Sequence, residues 1–143
     1  MERSCKLNKV LALVLAVVFM LALLPAIKVN ASGNVNPVTN VKCSGSGSFT
    51  NNTRTATLTW SHKKNSYNGS IKFKIRIYDS RGVEYYTKTT TKKSYTFNVT
   101  REMSNLSPNY TVYADITAID GKYKTTVPHI DITKYVNAQL NRK

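Results

Sequence analysis

Apolar and polar residues alternate with a period of two over most of the chain beyond residue 37, a pattern typical of half-buried β-strands. Residues 71–78 show it most regularly, with four apolar side chains alternating with three cations and a tyrosine. Because neighbouring side chains of a strand point to opposite faces, we expect one face of this strand to lie in a core and the other in solvent.

The same alternation predicts further strands, separated by turn-forming residues. These strands cover residues 37–41, 56–60, 83–90, 95–99, 110–118 and 122–132, with Pro128 interrupting the last. Glycine-containing turns at residues 67–70, 79–82 and 120–121 fall between neighbouring strands. About seven short strands without a helical period predict an all-β, antiparallel sandwich.

Several short patterns resemble those of fibronectin type III and related immunoglobulin-like domains. They are Pro37 to Val41 at the first strand, Leu58-Thr59-Trp60 on the second, Phe73, Ile75 and Ile77 on the third, and Leu106-Ser107-Pro108 before the long strand. The resemblance covers residues 36–132. It implies an immunoglobulin-like sandwich, and binding or adhesion more readily than catalysis.

The first 31 residues differ from the rest and are predicted to be a signal peptide. Basic residues at positions 3, 6 and 9 precede an uncharged apolar run over residues 10–26, and Ala31 ends the segment before the predicted cleavage point. The segment resembles signals of proteins secreted by Gram-positive bacteria. A retained membrane anchor is the alternative. A helix that spans a bilayer needs roughly 20 apolar residues, which is only slightly more than this run provides. Cleavage predicts an extracellular chain without a membrane span.

Three parts are predicted after the signal peptide. Residues 32–36 form a polar, flexible leader, residues 37–132 form the sandwich, and residues 133–143 form a basic tail. The tail is too short to hold an independent helix in water and is expected to fray.

Positive charge dominates the chain, with 21 Lys and Arg residues against 7 Asp and Glu. Residues 1–31 hold four of the basic residues and one acid, so the remaining 112 residues still carry a formal charge of +11. A charge this far from zero favours anionic partners.

The solvent-facing side of residues 71–78 is the candidate binding site. Its cations and tyrosine project at a spacing of two, as a stripe about 20 Å long. Cations attract phosphate or carboxylate groups, and tyrosine rings offer a flat surface to sugars or bases. The alternative is a soluble outer face whose lysines discourage pairing between sheets. With neighbours expected from the flanking strands, the predicted ligand-binding residues are Lys72, Lys74, Arg76, Tyr78, Tyr86, Lys88 and Tyr113.

Groups for catalysis or metal binding are sparse. His62 and His129 are the two histidines, and the acids beyond residue 31 are scattered singly. The spacing of the Cys, His and acidic residues does not suit a zinc or calcium site. The sequence therefore predicts a protein that is not an enzyme and holds neither a metal nor a cofactor.

Cys43 is the one cysteine beyond the predicted signal, which excludes a disulfide within the mature chain. A buried small apolar residue is the favoured interpretation. An intermolecular disulfide and a free reactive thiol are the alternatives.

Three classes of function fit these observations. The favoured one is a secreted binding module that associates with an anionic extracellular polymer of the cell wall, an acidic polysaccharide or a biofilm-type matrix. The second is a secreted protein-binding factor, an inhibitor or toxin-like antagonist, that acts through the sandwich loops. A small hydrolase is the least favoured.

The secreted protein is expected to begin at Ser32 and to contain no intramolecular disulfide. The intact mass of the protein in culture medium, compared with and without reduction, measures both properties. A mass that retains residues 1–31, or a membrane-bound pool that resists alkaline washing, would contradict the prediction.

Overall fold

The computed structural model describes residues 34–66 and 68–141, and Ser32–Lys143 form a compact unit. The predicted signal peptide lies outside the described residues. The strands are β1 (Thr39–Ser46), β2 (Thr55–Ser61), β3 (Lys72–Asp79), β4 (Glu84–Thr90), β5 (Ser94–Asn98), β6 (Val112–Asp120) and β7 (Tyr123–Asp131). The helices are α1 (Arg101–Ser104), α2 (Thr133–Val136) and a 3₁₀ turn, Ala138–Asn141.

Two antiparallel sheets make up the fold. One contains three strands in the order β1-β2-β5, and the other contains four in the order β4-β3-β6-β7. The prediction of an all-β, antiparallel fold is confirmed. None of the helices within the described residues is long and apolar enough to span a bilayer.

The apolar faces of the two sheets meet in a single core. Leu58 and Trp60 of β2 face Ile75 and Ile77 of β3, and all four are buried. The ring of Trp60 meets that of Phe73 edge to face, with centroids 5.4 Å apart. The period-two pattern of the sequence thus correctly predicts which sides of β2 and β3 enter the core.

The folded domain extends further at both ends than the sequence predicts. Val35, which was assigned to the flexible leader, is buried, and its carbonyl accepts a 2.5 Å hydrogen bond from Thr125 Oγ1. The segment assigned to a fraying tail contains α2 and places Val136 and Asn137 in the core. These short segments are ordered by tertiary packing, which local sequence patterns do not reveal.

The helix α1 lies in a stretch that the sequence predicts as a loop. Thr100 caps it by accepting a hydrogen bond from the Met103 amide, and the Met103 side chain is fully buried. The Thr100 cap and the buried Met103 side chain are enough to form a single helical turn, although one turn is too short to give a helical period in the sequence.

Asp79 organises the turn between β3 and β4. Its buried carboxylate accepts hydrogen bonds from the Arg81 side chain, the Tyr85 hydroxyl and the amides of Arg81 and Val83. Burial alone would raise the pKa of Asp79, but these bonds outweigh it and hold the pKa below its ordinary value of 3.8. Gly82 completes the turn with a φ of 86°.

Replacing Trp60 by Ala is expected to lower the free energy of unfolding by about 3–5 kcal/mol, because it leaves a cavity between the sheets. Trp60 is 5% exposed, and its indole Nε1 has no hydrogen-bond partner among the described residues. Trp60→Phe should cost much less than Trp60→Ala, because Phe keeps most of the buried ring volume and neither variant loses a hydrogen bond. Urea denaturation measures the free energy of unfolding of both variants. A Trp60→Ala variant with a nearly unchanged free energy of unfolding would contradict this packing.

The lowered pKa of Asp79 predicts a dependence of stability on pH. The ionised carboxylate stabilises the fold fully above the pKa of the unfolded chain, and this contribution is lost as the pH falls through the lower folded value. Asp79→Asn should be about 1–3 kcal/mol less stable at pH 7 and show a flatter loss of stability below pH 4. Urea denaturation from pH 7 to pH 2 measures this, with Glu102→Gln, at an exposed site, as the control. Identical profiles for Asp79→Asn and the wild type would contradict the role of Asp79.

Candidate functional site

Four predicted site residues follow one another along the outer face of the four-stranded sheet. Lys72, Lys74, Arg76 and Tyr78 alternate on β3 with buried residues, so they point away from the core. Lys72 and Lys74 are exposed and Arg76 is partly covered. Tyr78 differs from the prediction, because it is only 8% exposed although it lies on the outward side.

Tyr86 and Lys88 do not join this face, which corrects their predicted position. The register pairs Tyr86 with Ile77 and Lys88 with Ile75, and paired side chains lie on the same side of a sheet. Tyr86 therefore packs inward, with its ring 5.5 Å from that of Phe97. An irregularity in the pairing beside Tyr78 sets this register, and the alternation of the sequence does not reveal it.

Tyr113 does lie on the outer face, beside Tyr78. The two residues are paired across β3 and β6, and their ring centroids are 5.8 Å apart. His129 of β7 completes an aromatic group, with centroids 5.4 Å from Tyr113 and 6.2 Å from Tyr78. His129 was not among the predicted site residues, because its place depends on a bulge in β7.

Arg76 is held in a fixed position over this group. Its guanidinium lies 4.3 Å from the centroid of the Tyr78 ring, and its Nε donates a 2.7 Å hydrogen bond to Glu84. That hydrogen bond raises the pKa of Arg76 and lowers the pKa of Glu84. The charge of Arg76 is thereby compensated, so this residue contributes less to an anion-binding surface than the sequence predicts.

Lys72 and Lys74 make no ion pair among the described residues, and a third lysine joins them on the same face. Ile119 of β6 pairs with Lys72 on one side and with Lys124 of β7 on the other. Two strand spacings separate the lysines, or about 10 Å. Sequence reasoning missed Lys124, although the Asp120-Gly121 turn, read as a hairpin, would have placed it opposite Ile119.

Loop lysines gather at the end of the sandwich where Lys72 lies. The connections β2–β3, β4–β5 and β6–β7 meet there, since the ring of His62 contacts Phe73 at 5.4 Å and the amide of Gly69 bonds to Asp120. We name this group the lysine end; its members, all exposed, are Lys63, Lys64, Lys72, Lys92, Lys93, Lys122 and Lys124. The sequence predicts its loop members to be ordinary solvated turn residues.

Acidic residues are nearly absent from the lysine end. Within the described ranges it holds one, Asp120, whose carboxylate already accepts the Gly69 amide at 2.9 Å. The other acids lie towards the opposite end: Asp79, Glu84, Glu102, Asp115 and Asp131. The fold therefore separates charge along its long axis, which the sequence order of the residues does not show.

The opposite end carries apolar and arginine side chains instead. Val83, Tyr110 and Leu140 are large apolar residues that are 44%, 36% and 48% exposed, and all three belong to this end. The Arg81 guanidinium lies 4.7 Å from the Tyr110 ring centroid. Arg101 lines two adjoining surface grooves, one with Tyr110 and one with Phe49.

Cys43 is half-buried and has no disulfide partner. Burial raises the pKa of its thiol to about 11, although the Arg54 charge opposes the shift. The thiol is therefore protonated at neutral pH and a poor nucleophile. It packs against the core at a groove between β1 and β7, as the favoured interpretation expects.

Within the described residues, the side chains that commonly serve catalysis or bind metals do not lie close together. His62 is buried against Phe73, and its Nε2 lies 3.0 Å from the Asn36 carbonyl. No cluster of three or more potential metal ligands occurs in the part of the chain that the structure describes.

The chain matches no model of a protein family, and no curated protein resembles it significantly.

Proposed function

We propose that this chain is a secreted, non-catalytic β-sandwich module that associates with an anionic extracellular polymer, such as a cell-wall polymer, an acidic polysaccharide or a biofilm-type matrix. The observation that carries the proposal is the lysine end, where seven exposed lysines accompany a single acid among the described residues. Lys72, Lys74 and Lys124 extend this positive surface onto the outer face of the four-stranded sheet.

The spacing of the charges suits a polymer better than a small anion. Lys72 and Lys124 lie about 10 Å apart, close to the Debye length of roughly 8 Å at physiological ionic strength, so their potentials overlap in part. An extended polyanion can contact several members of the lysine end at once and release bound counterions. A small anion would contact only one or two of these lysines at a time.

The specific fold type belongs to the same proposal. The strand orders β1-β2-β5 and β4-β3-β6-β7 have the three-plus-four arrangement expected of a fibronectin type III-like sandwich. Such domains are scaffolds for binding, with function placed on faces and loops.

A second candidate function is a secreted protein-binding factor. The observation that favours it is the grouping of Val83, Tyr110 and Leu140 with arginines at the end opposite the lysines. Exposed aromatic and arginine side chains are enriched in protein interfaces. Binding through this end would survive high salt better than binding through lysines.

Replacing Lys72, Lys74 and Lys124 together by Gln is expected to weaken polymer binding about 100-fold, taking about 1 kcal/mol per lysine, as at other anionic surfaces. The salt dependence of the remaining binding should be shallower, because fewer counterions are released. Co-sedimentation with cell envelopes over a series of salt concentrations measures both. The thermal midpoint should change little, since the substituted side chains are exposed.

The matched control removes the same charge elsewhere, by Lys88→Gln, Arg101→Gln and Lys134→Gln. All three side chains are exposed and none belongs to the lysine end. The turn lysines do not serve as a control, because they lie at the same end as Lys72. Equal losses in the two triple variants would show that net charge alone governs binding and would reject the proposed surface.

A further inference from the structure

Tyr113 and His129 form a right-angled corner on the outer face of the four-stranded sheet. Their ring planes meet at 89° with centroids 5.4 Å apart. His129 is exposed and Tyr113 is half-exposed, so ligands in solvent can reach both rings. We name these two residues the aromatic corner.

A strained bulge holds His129 in this position. The pairing of β6 with β7 shifts by one residue between Ala114 and Ile116, and His129 adopts a φ of 55° there. Positive φ is uncommon for a residue with a side chain, and bulges often serve to redirect one. The His129 amide donates a 2.9 Å hydrogen bond to Asp115, which stabilises the bulge.

Buried Tyr78 supports the corner from beneath. Its ring contacts both corner rings, and its hydroxyl donates a 3.0 Å hydrogen bond to Asp115. The Arg76 guanidinium covers the same ring at 4.3 Å. A tyrosine nearly buried on the outward side of a sheet is kept in place by these contacts, so the corner is preorganised.

Asp115 also offers a hydrogen-bond acceptor beside the rings. Both of its hydrogen bonds use Oδ1, and Oδ2 takes none from the described residues. The side chain is partly exposed, so this oxygen can accept a bond from a ligand hydroxyl.

We propose that the aromatic corner is a subsite for a sugar ring of an acidic polysaccharide, whose charged groups lie on Lys72, Lys74 and Lys124. This inference rests on the proposed function and names its substrate class. The apolar face of a pyranose ring packs on the Tyr113 ring, and a sugar hydroxyl donates to Asp115 Oδ2. Tyr113 lies four residues along β6 from Thr117, the partner of Lys74, which is about 13 Å.

The charges beside the corner favour a saccharide over a polyphosphate or a nucleic acid. Asp115 and Glu84 flank Arg76 on this half of the face. Carboxylates accept hydrogen bonds from the hydroxyls that every sugar unit of a polysaccharide carries, whereas the backbones of polyphosphate and DNA present phosphates and no free hydroxyls to donate such bonds. A polysaccharide can place uncharged parts at the corner and its acidic groups at the lysines.

The test compares binding of three polyanions, polygalacturonate, inorganic polyphosphate and single-stranded DNA, to the Ser32–Lys143 unit, which contains the whole described core. Tyr113→Ala and His129→Asn each remove one ring of the corner, and Asn tolerates the positive φ of residue 129. Each should weaken polygalacturonate binding at least about fivefold, the loss typical of one stacking contact. Polyphosphate and DNA binding should stay within about twofold of the wild type.

Tyr110→Ala is the matched control, since it removes an exposed tyrosine that precedes β6 and lies outside the aromatic corner, and it should leave all three affinities unchanged. The thermal midpoint of each variant shows whether it folds. If Tyr113→Ala is unstable, His129→Asn alone still tests the aromatic corner. Unchanged polygalacturonate binding in the ring variants, or an equal or larger loss with polyphosphate or DNA, would overturn the subsite.

The triple lysine variant separates this inference from the proposed function. If it loses affinity for all three polyanions while the ring variants behave as wild type, the subsite alone is rejected. If the wild type binds none of the polyanions, or if the lysine variant matches its charge control, both proposals are rejected.

Discussion

Burial of apolar side chains between the two sheets is the interaction on which the rest of the structure depends. Cys43 is a free thiol, so no disulfide holds the described residues together. A domain of this size buries only about two-thirds of its unfolded surface, which makes each large core side chain important. The contact of Trp60 with Phe73 joins the sheets near one end of the core, and the buried Val136 extends the core at the C-terminal side.

The arrangement of charge on the surface follows from that core. Alternation places every second residue of β3 inside, so its cations are forced onto the outer face. The antiparallel order of the strands then brings three separate turns to one end, and each turn carries lysines. Lysines far apart in sequence become neighbours without any contact between them that would stabilise the fold. Their shared position is a consequence of topology, and it is where a polyanion would meet the highest positive potential.

The outer face of the four-stranded sheet has two chemically different halves. Lys72 and Lys124 give one half an uncompensated positive charge. In the other half Arg76 is paired with Glu84 and stacked on Tyr78, so its role is to order the aromatic residues rather than to attract anions. The outward residues of β3 therefore differ from one another in exposure and in charge pairing. In the proposed function, the first half takes the charged groups of a polysaccharide and the second takes its hydroxyl-bearing rings.

The sequence by itself determined the approximate positions of most strands, the inward faces of β2 and β3 and the excess of positive charge, because these depend on residue type and on a local period of two. It also placed Trp60 in the core, which the structure confirms. Only the tertiary structure decided the register that turns Tyr86 and Lys88 away from the stripe, the bulge that presents His129, and the packing of Val136. These features depend on pairings between distant segments, where one extra residue in a strand changes the face on which a side chain lies.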